Sequence, residues 1–319
     1  METIDELQAF LADATQDGVW GRLLDRGAAW AIMRRDGELP DDTPPLGDTI
    51  DTDLAEYGFA VLRASLALKE AGGPPDVVQR AFEKAANAFE ALVRNGSPEA
   101  VERDFYRVLA GAAYHLAGYS AIAYSLFNHV NVGTNATPGE VALIRLILRD
   151  LDGLRIHTRE WLGEESNGDQ ALAVQLERDD IEPEDVIATI LNSGICRALS
   201  YFDFVLQTGD ASLLENAKAI LAGTVKLAAD AGGVTHWWVA RLCLNLIDDL
   251  WDHSLHVNLP LTSPQGGEAN YQALRRMFLI SLYGRKNAEV ELWPSQREAA
   301  RRSSDVTDDL VVFTSDQRR

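Results

Sequence analysis

Residues 76–94 read DVVQRAFEKAANAFEALVR. Val78, Phe82, Ala85, Phe89 and Leu92 recur at spacings of four and three, which puts all five on one face of a helix. Turn chemistry frames the stretch on both sides. AGGPPD at 71–76 ends one helix with glycine and opens the next with proline, whose missing N–H is no loss in a first turn. NGSPEA at 95–100 offers Ser97 as a cap and Pro98 as the first helical residue of the element that follows.

The same grammar extends outward. In 211–229, Leu214, Ala217, Leu221, Val225 and Ala228 share a face, and QTGDAS (207–212) and DAGGVT (230–235) are turns of the same kind. The spacing predicts ten to twelve helices joined as antiparallel hairpins, an all-α fold. Looser connections are expected at 35–53, rich in proline and aspartate, at 163–170 and 177–185 around a short helix, and at 259–270. RVLAGAAYHLAGYSAIAYSLF (107–127) has the spacing of a tetratricopeptide-like hairpin. Gly111 and Ala123 permit close helix approach, Gly118 allows the tight turn, and Tyr114 and Phe127 fill the groove. No second copy follows at that period, so a single well-packed hairpin stands beside a solenoid-like array.

The chain of 319 residues is 46% apolar and 24% charged, enough for a packed core, and its net charge is −20. An acidic surface repels phosphate backbones and anionic membranes. The local exceptions are Arg275 with Arg276, and Arg297, Arg301 and Arg302. The N-terminal METIDELQAFLADATQ is an acidic amphipathic helix without a basic start or unbroken apolar run, so neither a secretory nor a mitochondrial leader is expected. No stretch reaches membrane-spanning length without charges. Cys196 and Cys243, the only cysteines, sit in apolar helical contexts and suit buried thiols in a reducing cytoplasm.

LIDDLWDHSLHVNLP (246–260) carries Asp248, Asp249 and Asp252 as D-D-x-x-D on a helix. Isoprenoid synthases use that arrangement to hold magnesium against a diphosphate, and carboxylates at i and i+4 share a face. DDIEPED (179–185) has a second carboxylate run, but Pro183 interrupts it and points to helix N-terminal charges. No N-D-x-x-S-x-x-x-E partner follows, and no basic cluster faces the first motif. His253-x-x-His256, with Asp249 one turn upstream, has helical ligand spacing without a third strong ligand. His115 and His236 lie beside aromatic residues and read as core or interface groups that hold a hydrogen bond. Trp237, Arg241, Leu244 and Asp248 share one helix face. Trp238, Leu242, Asn245 and Asp249 are turned from it, so this helix is expected to pack on two sides or to pack on one and dock on the other. There is no nucleophile elbow and no G-x-x-x-x-G-K-[S/T] phosphate loop.

ELWPSQREAA (291–300) resembles the adenine-reading lead-in of superfamily 2 DEAD/DEAH-box helicases. AAYHLAGYSAIAYSLF and HWWVARLCLNLIDDLWDHSLHVNLP resemble the helical N-terminal region of a bacterial group of these enzymes, several associated with phage defence. The resemblance covers about 55–312. It implies that Trp293 or Leu292 packs near a base and that Gln296 reads the adenine edge, since an amide both donates and accepts. DDLVVF (308–313) matches the first motor strand, and TSDQRR does not match the phosphate loop. The loop lysine, acidic box and arginine finger are missing, so ATP is expected only in a full-length relative.

The expectation is therefore an all-α accessory domain over 1–285, TPR-like or solenoid-like, and an incomplete start of an α/β motor over 286–319. Its role is non-catalytic docking against a helicase motor core or partner protein, with nucleic acid contacted only indirectly and no membrane. Two alternatives stand beside it: a magnesium-dependent terpene-synthase-like enzyme using Asp248, Asp249 and Asp252, and a stand-alone TPR-like interaction module.

Overall fold

The computed structural model describes residues 2–16, 18–35, 49–95, 101–127, 136–163, 182–259 and 268–283. Among these residues there are thirteen α-helices and no β-strand. The chain divides into two units, Met1–Leu148 and Arg149–Arg319. The boundary at 285/286, Trp293, Gln296 and the strand at 308–313 lie outside the described residues, as do Ser97, Pro98 and the short helix between 170 and 177.

The first unit holds α1 (Ile4–Ala14), α2 (Val19–Arg35), α3 (Ile50–Glu70), α4 (Pro75–Asn95), α5 (Val101–Leu116), α6 (Ser120–Phe127) and α7 (Pro138–Ile147). The helix α4 lies at its centre and packs against α3, α5 and α2. All five residues of its expected apolar face are buried, and Ala81, Ala86 and Ala88 are buried with them. The small alanines widen the buried face so that helices approach from more than one side. Phe89 stands edge-on to Phe59 with centroids 5.1 Å apart and stacks on Tyr106 at 6.0 Å. The Tyr57 hydroxyl donates to the Ala14 carbonyl at 3.0 Å and ties α1 to α3. The connection expected over 35–53 is shorter at its far end, because α3 already begins at Ile50, with Asp51 and Asp53 in a first turn that favours negative charge.

The hairpin read at 107–127 is α5 and α6. Gly118 has φ +84°, a left-handed conformation in which a Cβ would be strained, and the Tyr119 N–H donates to the Tyr114 carbonyl at 2.8 Å. A Cβ on Gly111 would lie 2.4 Å from Cε2 of the buried Phe127, so the absence of a side chain there is what admits the ring. Tyr114 is buried as well. Its hydroxyl donates to Asn87 Oδ1 at 2.6 Å and reaches the Glu90 carboxylate, which joins α5 to α4.

The second unit holds α8 (Leu151–Leu162), α9 (Pro183–Thr208), α10 (Ala211–Ala231), α11 (Val234–Asp252), the single turn α12 (Leu255–Asn258) and α13 (Glu268–Tyr283). The 26-residue α9 is its axis and packs against α8, α10, α11 and α13. Glu182 stands at its N-cap position without a side-chain bond and Pro183 opens it, so Glu184 and Asp185 are first-turn charges, as the sequence suggests. On α10, Leu214, Ala217, Leu221 and Ala228 are buried, but Val225 is only half-buried. Thr224 takes the buried position instead. Its hydroxyl donates to the Ile220 carbonyl at 2.9 Å, and it fits because Gly194 of α9 has no Cβ, which would stand 2.4 Å from Thr224 Oγ1. Between α8 and α9, Arg155 holds Asp203 with two bonds of 3.0 Å, and Gln207 donates to the same carboxylate at 2.7 Å.

Candidate functional site

The aspartates and histidines of 248–256 lie where α11 ends and α12 follows, and the Arg275–Arg276 pair lies on α13. The helix α11 packs on two sides, one much drier than the other. Trp238, Leu242 and Asn245 are buried, whereas Trp237, Leu244, Asp248 and Asp249 are half-buried. The two tryptophans meet edge to face at 4.8 Å, and the Arg241 guanidinium lies over the Trp237 ring at 5.1 Å.

The D-D-x-x-D carboxylates have separate partners. Asp248 accepts from Lys218 of α10 at 2.7 Å, and Lys218 also reaches Glu215 at 3.5 Å. Asp249 lies 3.3 Å from Nδ1 of His253, the residue that caps α11. The side chain of Asp252 is exposed, while its carbonyl accepts from the Asn258 amide at 2.8 Å. Among the described residues no group of three or more His, Cys, Asp or Glu is placed to hold a metal ion.

His253 and His256 turn to different tasks. The His256 ring donates from Nε2 to the Leu206 carbonyl at 2.7 Å, which assigns the neutral tautomer with its proton on Nε2. The ring is stacked between Trp251 at 5.6 Å and Tyr283 at 5.2 Å. Burial pushes its pKa down, and the neighbouring Arg275 pushes the same way against the Leu206 bond. His236 lies 3.1 Å from the Asn192 amide, with its pKa likewise lowered by burial. His115, also buried, meets the Ser120 hydroxyl at 3.0 Å. Cys196 and Cys243 are buried thiols outside any disulfide, and burial lifts that of Cys196 to about 12.

A cleft of about 350 Å³ opens between the C-terminal end of α9 and α13. Gln207, Thr208 and Gly209 form one wall, Gln272, Arg275 and Arg276 the other, and His256 contributes to the lining. Gly209 has φ +74°, and a Cβ there would stand 2.6 Å from His256 Nδ1, so glycine serves both the turn and the close approach of the ring. The Arg275 guanidinium donates from Nη2 to the His256 carbonyl at 2.6 Å. Sequence reasoning found the arginine pair as a basic patch. It missed Lys218, Gln207 and the Trp251–His256–Tyr283 stack, whose members meet only through packing.

A second cleft, of about 410 Å³, lies between α2 and α4 and is lined by Arg22, Asp25, Lys84, Asn87, Glu90 and Arg94 among others. Its charges are mixed, and Arg94 is already paired with Glu90. No protein-family model matches the chain, and no curated protein matches it. No helix among the described residues is long and apolar enough to cross a membrane.

Proposed function

We propose that this chain is a non-catalytic helical interaction module that docks on a partner protein through the outer face of α13. One observation carries the reading. Leu274, Met277, Phe278 and Ile280 are 64%, 68%, 52% and 49% exposed, while Leu279 and Tyr283 on the opposite face anchor the helix in its unit. A helix apolar on both sides is suited to a second layer of packing. The resemblance of 291–300 to a helicase lead-in makes the motor core of a DEAD/DEAH-box enzyme the expected partner. Nucleic acid would be reached through that motor, and ATP would be bound by it, with Trp293 and Gln296 at most a vestige of adenine reading. A phage-defence or DNA-processing role follows from that kinship alone. The two buried thiols support a reducing, cytoplasmic setting.

The close seat of Phe127 on Gly111 supports the TPR-like reading of the α5–α6 hairpin, whose outer surface exposes Tyr119, Ile122 and Tyr124. The synthase reading has less support. Lys218 and His253 occupy two of its three aspartates, and neither described cleft is lined by them.

The test is titration of the full chain with a DEAD/DEAH-box motor core, followed by calorimetry. A saturable complex is expected, weakened at least about tenfold by Met277→Glu with Phe278→Glu, because each charge must be desolvated in the docked state. Absence of a complex, or a complex indifferent to the two charges, refutes the proposal.

A further inference from the structure

We propose that the cleft between α9 and α13 is a binding site for a small phosphate-type oxyanion, either inorganic phosphate or the phosphate of a monoester. This inference rests on different residues from the docking face and stands whether or not that reading does.

Three observations lead to it. Arg275 and Arg276 both line one small concavity on a chain of net charge −20. In so acidic a protein, carboxylate partners for arginine are plentiful, yet neither arginine is paired with one among the described residues. Among the described residues the one side-chain hydrogen bond of Arg275 is to a neutral carbonyl, that of His256. Its Nε–H is buried and meets no acceptor. A buried donor left unmatched costs about 1–3 kcal/mol, and an arginine in that state is poised for an acceptor from outside the fold.

The surroundings favour a compact anion. Two carboxylates border the cleft through its lining: Asp203, bonded to Gln207, is held by two bonds from Arg155, and Asp210, next to Gly209, accepts from the Ser212 N–H and hydroxyl at the start of α10. The C-terminal carbonyls of α9, which would repel an anion, are partly spent: Leu206 accepts from His256 and Val205 from the Gly209 N–H at 2.7 Å. Two guanidinium groups match the charge of a phosphate dianion and supply planar, charge-assisted donors. Arg275 is held in place by the His256 carbonyl, and His256 is clamped by its stack, so one of the two donors is ordered before a ligand arrives.

The experiment uses the full chain at constant ionic strength. Inorganic phosphate and glycerol 3-phosphate are titrated separately, with binding read by calorimetry and location by hydrogen-exchange protection of 205–209 and 271–279. Saturable binding of at least one is expected, and Arg276→Gln should weaken it about tenfold. Arg276 is exposed, and among the described residues it has no ion pair to lose, so that variant is expected to fold as the parent does. Arg241→Gln, whose guanidinium lies over Trp237, should leave binding unchanged. Tighter binding of the ester assigns the site to phosphorylated metabolites, and equal binding assigns it to phosphate itself. The proposal is overturned if neither ligand saturates below about 10 mM, a ceiling of weak affinity. It is equally overturned if Arg276→Gln binds as the parent does, since the binding would then not use the arginine pair.

Discussion

Gly111→Ala should change sign with its neighbour. Gly111 lies inside α5, where alanine in place of glycine is worth about 1 kcal/mol of helix propensity. Against that gain, the new methyl would stand 2.4 Å from Cε2 and 2.7 Å from Cζ of Phe127, whose ring is buried and cannot swing into water. Forcing an atom into a filled core costs about 1–3 kcal/mol. The net expectation is a loss of about 0–2 kcal/mol in the parent. In a Phe127→Leu background the two offending atoms no longer exist, and the remaining Cδ2 position is at 3.6 Å, an ordinary contact. There the same substitution should stabilise by up to about 1 kcal/mol. The difference, about 1–3 kcal/mol, is the coupling of a double-mutant cycle. Because the chain has two units, stability is best read locally, from hydrogen exchange of α5 peptides across a urea series. Gly223→Ala is the control: nothing lies within 4 Å of the methyl it would add, so it should stabilise α10 by about 1 kcal/mol in either background. If Gly111→Ala stabilises the parent as much as Gly223→Ala does, or behaves alike with and without Phe127, the contact that seats α6 on α5 is not the one described.

Two further substitutions probe buried polar groups. Asp203→Ala removes the acceptor of both Arg155 and Gln207, and a loss of about 2–3 kcal/mol is expected, less than for a wholly buried pair because Arg155 reaches water; calorimetric unfolding within about 0.5 kcal/mol of the parent would show the bridge to be idle. Glu140 is buried in the capping box at the start of α7, and burial raises its pKa above 4.5, outweighing the Thr137 bonds. A raised carboxyl pKa means the folded state holds the proton more tightly, so stability falls as pH climbs from 4.5 through the folded value. Glutamine keeps the cap without the charge, so Glu140→Gln should flatten that slope and match or exceed the parent at pH 7; equal slopes for the two proteins in denaturation at pH 4.5 and 7 would contradict the assignment.

The parts of the fold legible in the sequence are those written in short-range chemistry. The five apolar positions of 76–94 are all buried, and the glycine at 111 does admit the aromatic at 127, because helical period and side-chain volume act within a hairpin. Where partners came from distant elements, the reading had no signal. Thr224 displaced Val225 from the core because Gly194, thirty residues earlier, leaves room for a hydroxyl that can satisfy itself on its own helix. Asp203 gave no sign of Arg155, since the two are 48 residues apart. The division at Leu148 also had no compositional mark, being set by which helices pack together.

The aspartate–histidine run of α11 shows why spacing alone does not make a ligand set. A helix guarantees that Asp248 and Asp252 share a face, but coordination also requires that their charge be uncommitted and faced by further donors. Lys218 stands at Asp248 and His253 at Asp249, while Asp252 is left to solvent. His256 is committed further still. Its Nε2–H is spent on the end of α9, its Nδ1 lies against Gly209, its carbonyl holds Arg275, and both ring faces are covered by Trp251 and Tyr283. For this ring to bind a metal it would have to release α9 or leave the stack that joins α11 to α13. The Nε2–H and the carbonyl of His256 are thus spent on α9 and on Arg275 of α13, and the ring holds helix ends together rather than offering a ligand.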